Sequence, residues 1–182
     1  AADDIDLDHL AVSQIGGMRV EIIDSVADYQ KLMQSLFDFD RIGALFRSGF
    51  AMKFDAMSAV TGPYGKLILE DVLGAKAGTV LNGVPLADFG GHHPDPNLVH
   101  AKFIYDLAMR ADGPDFCAAS DGDGDRNLII GRKQFVTPSD SLALLAANAH
   151  LAPGYAKGIA GVARSMPTSA AVDCVAHKLG IS

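Results

Sequence analysis

The chain has 182 residues, of which 49% are apolar and 20% charged, and its formal net charge is -7. That length allows one good core, or one domain with part of another. The acidic balance argues against general nucleic-acid binding, and no apolar run approaches the roughly 18 residues that span a bilayer. Two cysteines, Cys117 and Cys174, stand far apart and outside any CxxC. The opening "AADDIDLDHL" lacks the basic and apolar regions of a signal peptide. Both features favour a reducing, cytoplasmic setting.

In chain order, strands and helices alternate. "MRVEII" (18–23) reads as a strand. Leu32, Leu36, Phe39, Ile42 and Leu45 recur at helical spacing from Val26 to Phe46, and "FDFDR" breaks that stretch into two helices. "FAMKFDA" (50–56) is a strand. "PYGKLILEDVLG" (63–74) is a helix with Pro63 early and Gly74 at its end. "AGTVLNG" is a short strand. The irregular "VPLADFGGHHPDPN" leads to a helix over 98–110, with Val99, Phe103 and Leu107 around its turns and Asp95 and Pro96 at its start.

"PDFCAAS" (114–120) and "NLIIG" (127–131) are strands whose connection is too short for a crossover, so one antiparallel edge strand is expected. "TPSDSLALLAANAHL" opens a helix with Thr137, Pro138 and Asp140 as its start signal. "AKGIAGVAR" reads as a strand, and "PTSAAVDCVAHKLG" as a helix closed by Gly180. The expected fold is α/β, a mixed sheet sandwiched between helices. A lead-in over 1–17 precedes a domain over 18–152, and 153–182 reads as the beginning of a second, incomplete α/β domain.

The loop between the two antiparallel strands carries the chemistry. In "ASDGDGDRNLIIG" (119–131), Asp121, Asp123 and Asp125 alternate with glycines that permit tight backbone angles. Three hard oxygen donors suit Mg²⁺ or Ca²⁺ rather than zinc. An EF-hand would need glycine where Arg126 stands and glutamate where Arg132 stands. A solvated acidic turn is the plainer alternative. Arg126 beside a cation site would weaken it, unless the guanidinium faces a phosphate or sugar hydroxyl. Otherwise it is a structural ion pair with its neighbours.

This loop resembles the metal-binding loop of the α-D-phosphohexomutases. "MRVEIIDSVADY", "FDAMSAVTGPYGK", "VPLADFGGHHPDPNL", "TPSDSLALLAAN" and "ARSMPTSAAVD" resemble, in the same order, the phosphoglucomutases of that family. The likeness runs from Gly17 to the C-terminus. It departs at Ser58 and Ala59, where "HG" is expected, and at Ser120, where an aromatic is commoner.

The resemblance implies a phosphoserine that phosphorylates glucose 1-phosphate or glucose 6-phosphate. Glucose 1,6-bisphosphate then reorients and returns the other phosphate. It implies Mg²⁺ held by Asp121, Asp123, Asp125 and a phosphoserine oxygen, with Arg126 facing the substrate. It implies four domains, including a T-A-S-H-N-P-like phosphoserine motif, a G-E-E-S-like sugar loop and a phosphate-binding loop. None of these motifs occurs here. The chain is thus expected to supply the second domain and the start of the third, to have the remaining domains of the same enzyme as partners, and to be inactive alone. A stand-alone divalent-metal module and a metal-dependent phosphatase are the alternatives.

Further residues keep two readings. His92 and His93 belong to a packed loop or lie on the substrate side; Mg²⁺ disfavours imidazole. Asp55 and "AMSAVTG" form an ordinary connection or an anion site. Arg164, Ser165, Thr168 and Ser169 form a hydroxyl cap or line a pocket. Cys117 and Cys174 are expected to be buried thiols.

Overall fold

The computed structural model describes residues 5–7 and 9–182. Part of the acidic opening, residues 1–4 and 8, lies outside them. Strands β1 (Val12–Ile15) and β2 (Met18–Glu21) form an antiparallel hairpin in which Ile15 pairs with Met18. The two-residue Gly16-Gly17 turn joins them, with Gly16 at φ 56°. Helices α1 (Ser25–Leu36) and α2 (Phe39–Arg47) follow. The break expected at "FDFDR" is a capping event, because Asp38 accepts the Arg41 N–H at 2.9 Å and starts a new helix.

The main sheet has the order β4-β3-β5-β6-β7. Its strands are β3 (Met52–Asp55), β4 (Val80–Leu81), β5 (Phe116–Ser120), β6 (Asn127–Gly131) and β7 (Gln134–Val136). β3 pairs in parallel with β4 and β5, whereas β5–β6 and β6–β7 are antiparallel. The mixed sheet is as expected. One edge strand is antiparallel, as expected, but it is β7, unread in "RKQFVTP", which covers β6. A tight turn at Lys133 (φ 56°) makes this second hairpin from a segment with little apolar alternation.

Central β5 is buried along nearly its whole length, which is why it reads as the unbroken apolar run "FCAAS". Cys117, Ala119, Leu128 and Ile130 face helix α4 (Lys102–Met109), where Ile104 and Ala108 complete the core. On the other face, α3 (Thr61–Gly65) continues into a π-helical stretch, Lys66–Val72. Gly65 lies against the Phe54 ring, where a Cβ would come within 2.9 Å. At Gly62 a Cβ would meet the Gly83 carbonyl oxygen at 2.1 Å, so only glycine allows this close approach.

Helix α5 (Pro138–Asn148) packs through Ala143 and Ala146 on Val172 of α6 (Ala171–Leu179). Gly180, at φ 70°, ends α6 as expected.

Several local expectations need correction. α4 begins at Lys102, and Val99 and Phe103 are exposed while Ile104 and Ala108 are buried. Small alanines permit the close approach to the sheet, so the larger side chains point outward. Asn97, not Asp95, caps the preceding turn by accepting the Val99 and His100 N–H groups. The Thr137 hydroxyl bonds the Asp140 carboxylate at 2.8 Å instead of a backbone N–H. Segment 156–164 forms no strand; apart from Val162 N–H donating to the Ser182 carbonyl at 2.7 Å it lacks a partner ladder. Cys174 is exposed, because α6 turns Val172 and Ala176 inward instead.

Ile104→Ala should destabilise the chain by about 2–5 kcal/mol, and Phe103→Ala should stay within about 0.5 kcal/mol of the parent, as read by urea denaturation. Equal costs would mean that α4 presents its other face to the sheet. Burial pushes the Cys117 thiol up to about 11. A disulfide-exchange reagent should therefore titrate one thiol in the native chain and two after denaturation. Rapid reaction of both in the native state would contradict the packing of β5.

Candidate metal centre

The loop between β5 and β6 is organised around a carboxylate with no solvent exposure. Asp121 Oδ1 accepts the backbone N–H groups of Gly124 and Arg126, each at 3.0 Å. Its Oδ2 accepts Arg126 Nε at 2.8 Å. Burial raises the Asp121 carboxyl, but the backbone N–H, guanidinium and charge of Arg126 outweigh it and hold the group at about 2. A carboxylate has about four acceptor positions, so three N–H donors leave room for one more partner.

Asp123 and Asp125 are exposed. One oxygen from each of the three aspartates lies within 4.8 Å of the others. The charge of Asp123, followed by Asp121, raises the Asp125 carboxyl above its ordinary range. That repulsion is what a divalent cation relieves, and three converging carboxylate oxygens fit a hard ion such as Mg²⁺ or Ca²⁺.

Neighbouring loops hold this one in place. Gly124 has φ 83°, and a Cβ there would meet Thr61 Cγ2 at 2.8 Å. Thr61 Oγ1 and Ser120 Oγ share a hydrogen bond of 2.6 Å. Ser120, one of the departures from the phosphohexomutase pattern, thus ties the loop to the start of α3. Arg126 Nη1 donates to Asp95 Oδ1 at 3.2 Å. Asp95 is itself fixed by Asn97 Nδ2 at 2.7 Å. The Arg126 side chain remains 61% exposed. It forms the ion pair with its aspartate neighbours and keeps an exposed cationic face.

The partnership between Asp95 and Arg126 was missed in the sequence, where Asp95 reads as a helix cap. Thirty-one positions separate the two residues, and no local pattern signals the contact. His93 is exposed against His100, with ring centroids 4.6 Å apart. Asp55 is buried and accepts Met57 N–H and Asn82 Nδ2, which makes it a turn-forming group.

Arg164 grips Asp173 through Nε and Nη2, each at 2.7 Å, and Nη1 reaches the Thr168 carbonyl. Ser165 and Thr168 hydroxyls pair at 3.0 Å. The Ser169 hydroxyl accepts the Ala171 N–H. Among the described residues no hydrogen bond or ion pair joins this segment to the aspartate loop. The capping reading fits Ser169.

A sequence profile for the phosphoglucomutase/phosphomannomutase α/β/α domain II matches residues 27–134. The chain belongs to the phosphoglucomutase/phosphomannomutase family. A phosphoglucomutase of Rhizobium radiobacter is 63% identical over 180 residues, spanning 99% of this chain and 33% of its own. The chloroplastic phosphoglucomutase of Arabidopsis thaliana is 58% identical over 178 residues, 97% of this chain and 29% of its own. The open form of parafusin, a phosphoglucomutase from Paramecium, superposes with a TM-score of 0.90 at 46% identity, covering 98% of this chain and 33% of that one. The chain therefore spans about a third of the length of the curated relatives it matches. Relatives named for the cytoplasm and for the chloroplast both occur. Among the described residues no helix is long and apolar enough to cross a membrane.

Mg²⁺ titrated calorimetrically into the chain should bind weakly, and Asp123→Asn should lower that affinity by about tenfold or more, since it removes one of three anionic ligands. Equal affinity in the variant would place the ion elsewhere.

Proposed function

We propose that the chain is the metal-binding portion of a cytoplasmic phosphoglucomutase that interconverts glucose 1-phosphate and glucose 6-phosphate through a phosphoserine and glucose 1,6-bisphosphate. The carrying observation is 63% identity over 180 residues to a phosphoglucomutase, in a chain whose Asp121, Asp123 and Asp125 converge on one point. Residues 18–152 form the metal-binding domain in this reading, and 153–182 open the next. The remaining domains of the same enzyme are the partners, and they would supply the phosphoserine. The two free thiols suit a reducing compartment.

Asp121, Asp123 and Asp125 would hold Mg²⁺, which, when bound, supplies positive charge to a phosphoryl oxygen. The chain's own residues do the rest of the local work. Asp121 fixes the loop and anchors Arg126 at Nε. Asp95 fixes the same guanidinium at Nη1. Held at two points, the guanidinium meets a phosphate or sugar oxygen with little rotamer freedom left to lose, which favours charge-assisted hydrogen bonds. Arg164 spends three of its five N–H donors on Asp173 and Thr168. A substrate-side role for Arg164, Ser165 and Thr168 would draw on the two remaining N–H groups and the paired hydroxyls. His93 stays a candidate only for contact at the rim of the site.

The 182-residue chain should show no turnover of glucose 1-phosphate in an assay coupled to glucose 6-phosphate oxidation, because no serine in it lies in the phosphoserine motif. In the longer parent enzyme, Asp121→Ala should lower kcat by orders of magnitude, and Arg126→Ala should also impair it. Turnover that copurifies with the short chain would refute the division of labour. An unimpaired Asp121→Ala parent would refute the role of the loop.

A further inference from the structure

The turn beside the aspartate loop holds a second group of metal-competent side chains, separate from the three aspartates. His93 and His100 are seven positions apart, yet their rings lie 4.6 Å apart, centroid to centroid, tilted by 56°. A dense set of bonds fixes the backbone between them. Asp95 N–H donates to the His93 carbonyl at 2.9 Å, Asn97 N–H to the Asp95 carbonyl at 2.8 Å, and Ala101 N–H to the Asn97 carbonyl at 2.8 Å. Asn97 Oδ1 accepts the N–H of His100 itself at 3.0 Å. Pro94 and Pro96 further restrict the chain. Both imidazoles are exposed, so rotation about χ2 can turn their nitrogens with the ring centroids nearly fixed.

The spacing fits a shared ion. With metal–nitrogen bonds of about 2.0–2.1 Å and a ring centroid about 1.2 Å behind each nitrogen, a common ion sits about 3.2 Å from each centroid. Two rings aimed at one ion at about 90° would have centroids about 4.5 Å apart, close to the 4.6 Å observed. A right angle is the angle between neighbouring ligands in a tetragonal or octahedral shell. We propose that His93 and His100 form a binding site for a borderline divalent transition ion of the Cu²⁺, Ni²⁺ or Zn²⁺ class, distinct from the oxygen-donor site at Asp121, Asp123 and Asp125. The two sites are chemically separated: imidazole attracts the ions that the carboxylate cluster does not prefer, and Mg²⁺ disfavours imidazole. Water completes the shell.

The test is a Cu²⁺ titration of the chain followed through the ring proton signals of its six histidines, saturated with Mg²⁺ throughout. Substoichiometric Cu²⁺ should broaden His93 and His100 first, leaving His9, His150 and His177 sharp. Calorimetry with Ni²⁺ should give one site whose affinity falls at least tenfold in His93→Gln and in His100→Gln, and is unchanged in Asp123→Asn. Both histidine variants replace exposed side chains, and circular dichroism checks that they fold. Broadening spread evenly over all six rings would overturn the proposal. So would Ni²⁺ affinity that is lost in Asp123→Asn but kept in His100→Gln.

Discussion

The buried negative charge of Asp121 is the constraint on which the loop depends. A carboxylate removed from water needs compensation at every oxygen, and here it comes from two backbone N–H groups and one guanidinium. Satisfying that charge fixes the path of the backbone from 121 to 126. The same path places Asp123 and Asp125 outward, with oxygens converging on that of Asp121. Folding and site formation are thus one event. The N–H donors that make Asp121 tolerable in the interior also draw the three carboxylates together.

Arg126 links this local order to the rest of the domain. Its Nε belongs to the loop, and its Nη1 belongs to Asp95 on the turn before α4. That turn leads into the helix whose Ile104 and Ala108 seal the sheet. A hydrogen-bonded path therefore runs from the cation-competent aspartates to the hydrophobic core. Thr61 and Ser120 make a second connection, from the first residue of α3 to the last residue of β5. The loop is held on both flanks by elements packed on opposite faces of the sheet.

What was legible in the sequence follows the range of the signal. "FCAAS" and "NLIIG" carry burial on every side or in alternation, and both strands appear where periodicity places them. The two helices across "FDFDR" separate at a capping aspartate, another local cue. The aspartate loop was readable because its chemistry is contiguous. Asp95 was not, since its partner comes from a distant part of the chain and only the fold brings them together. β7 escaped notice because "QFV" is too short to show alternation, and its pairing is a property of the turn at Lys133. α4 misled for a different reason. Apolar size marks a helix face poorly when the sheet demands close approach, so Ala101 and Ala108 go in and Phe103 stays out.

α5 is packed along one side only. Ala143 and Ala146 are buried against α6, while Leu144 and Leu145 on the same helix are 51% and 69% exposed. They line an open apolar groove of about 1160 Å³ that runs between α2, α5 and residues 159–163. A helix apolar all round is suited to burial on all sides. None of the groove's lining residues lies between 52 and 136, the span that contains the main sheet, α3, α4 and the aspartate loop. The buried cluster of α4, β5 and β6 beside the aspartate loop is therefore separate from this groove, whose elements contribute no ligand.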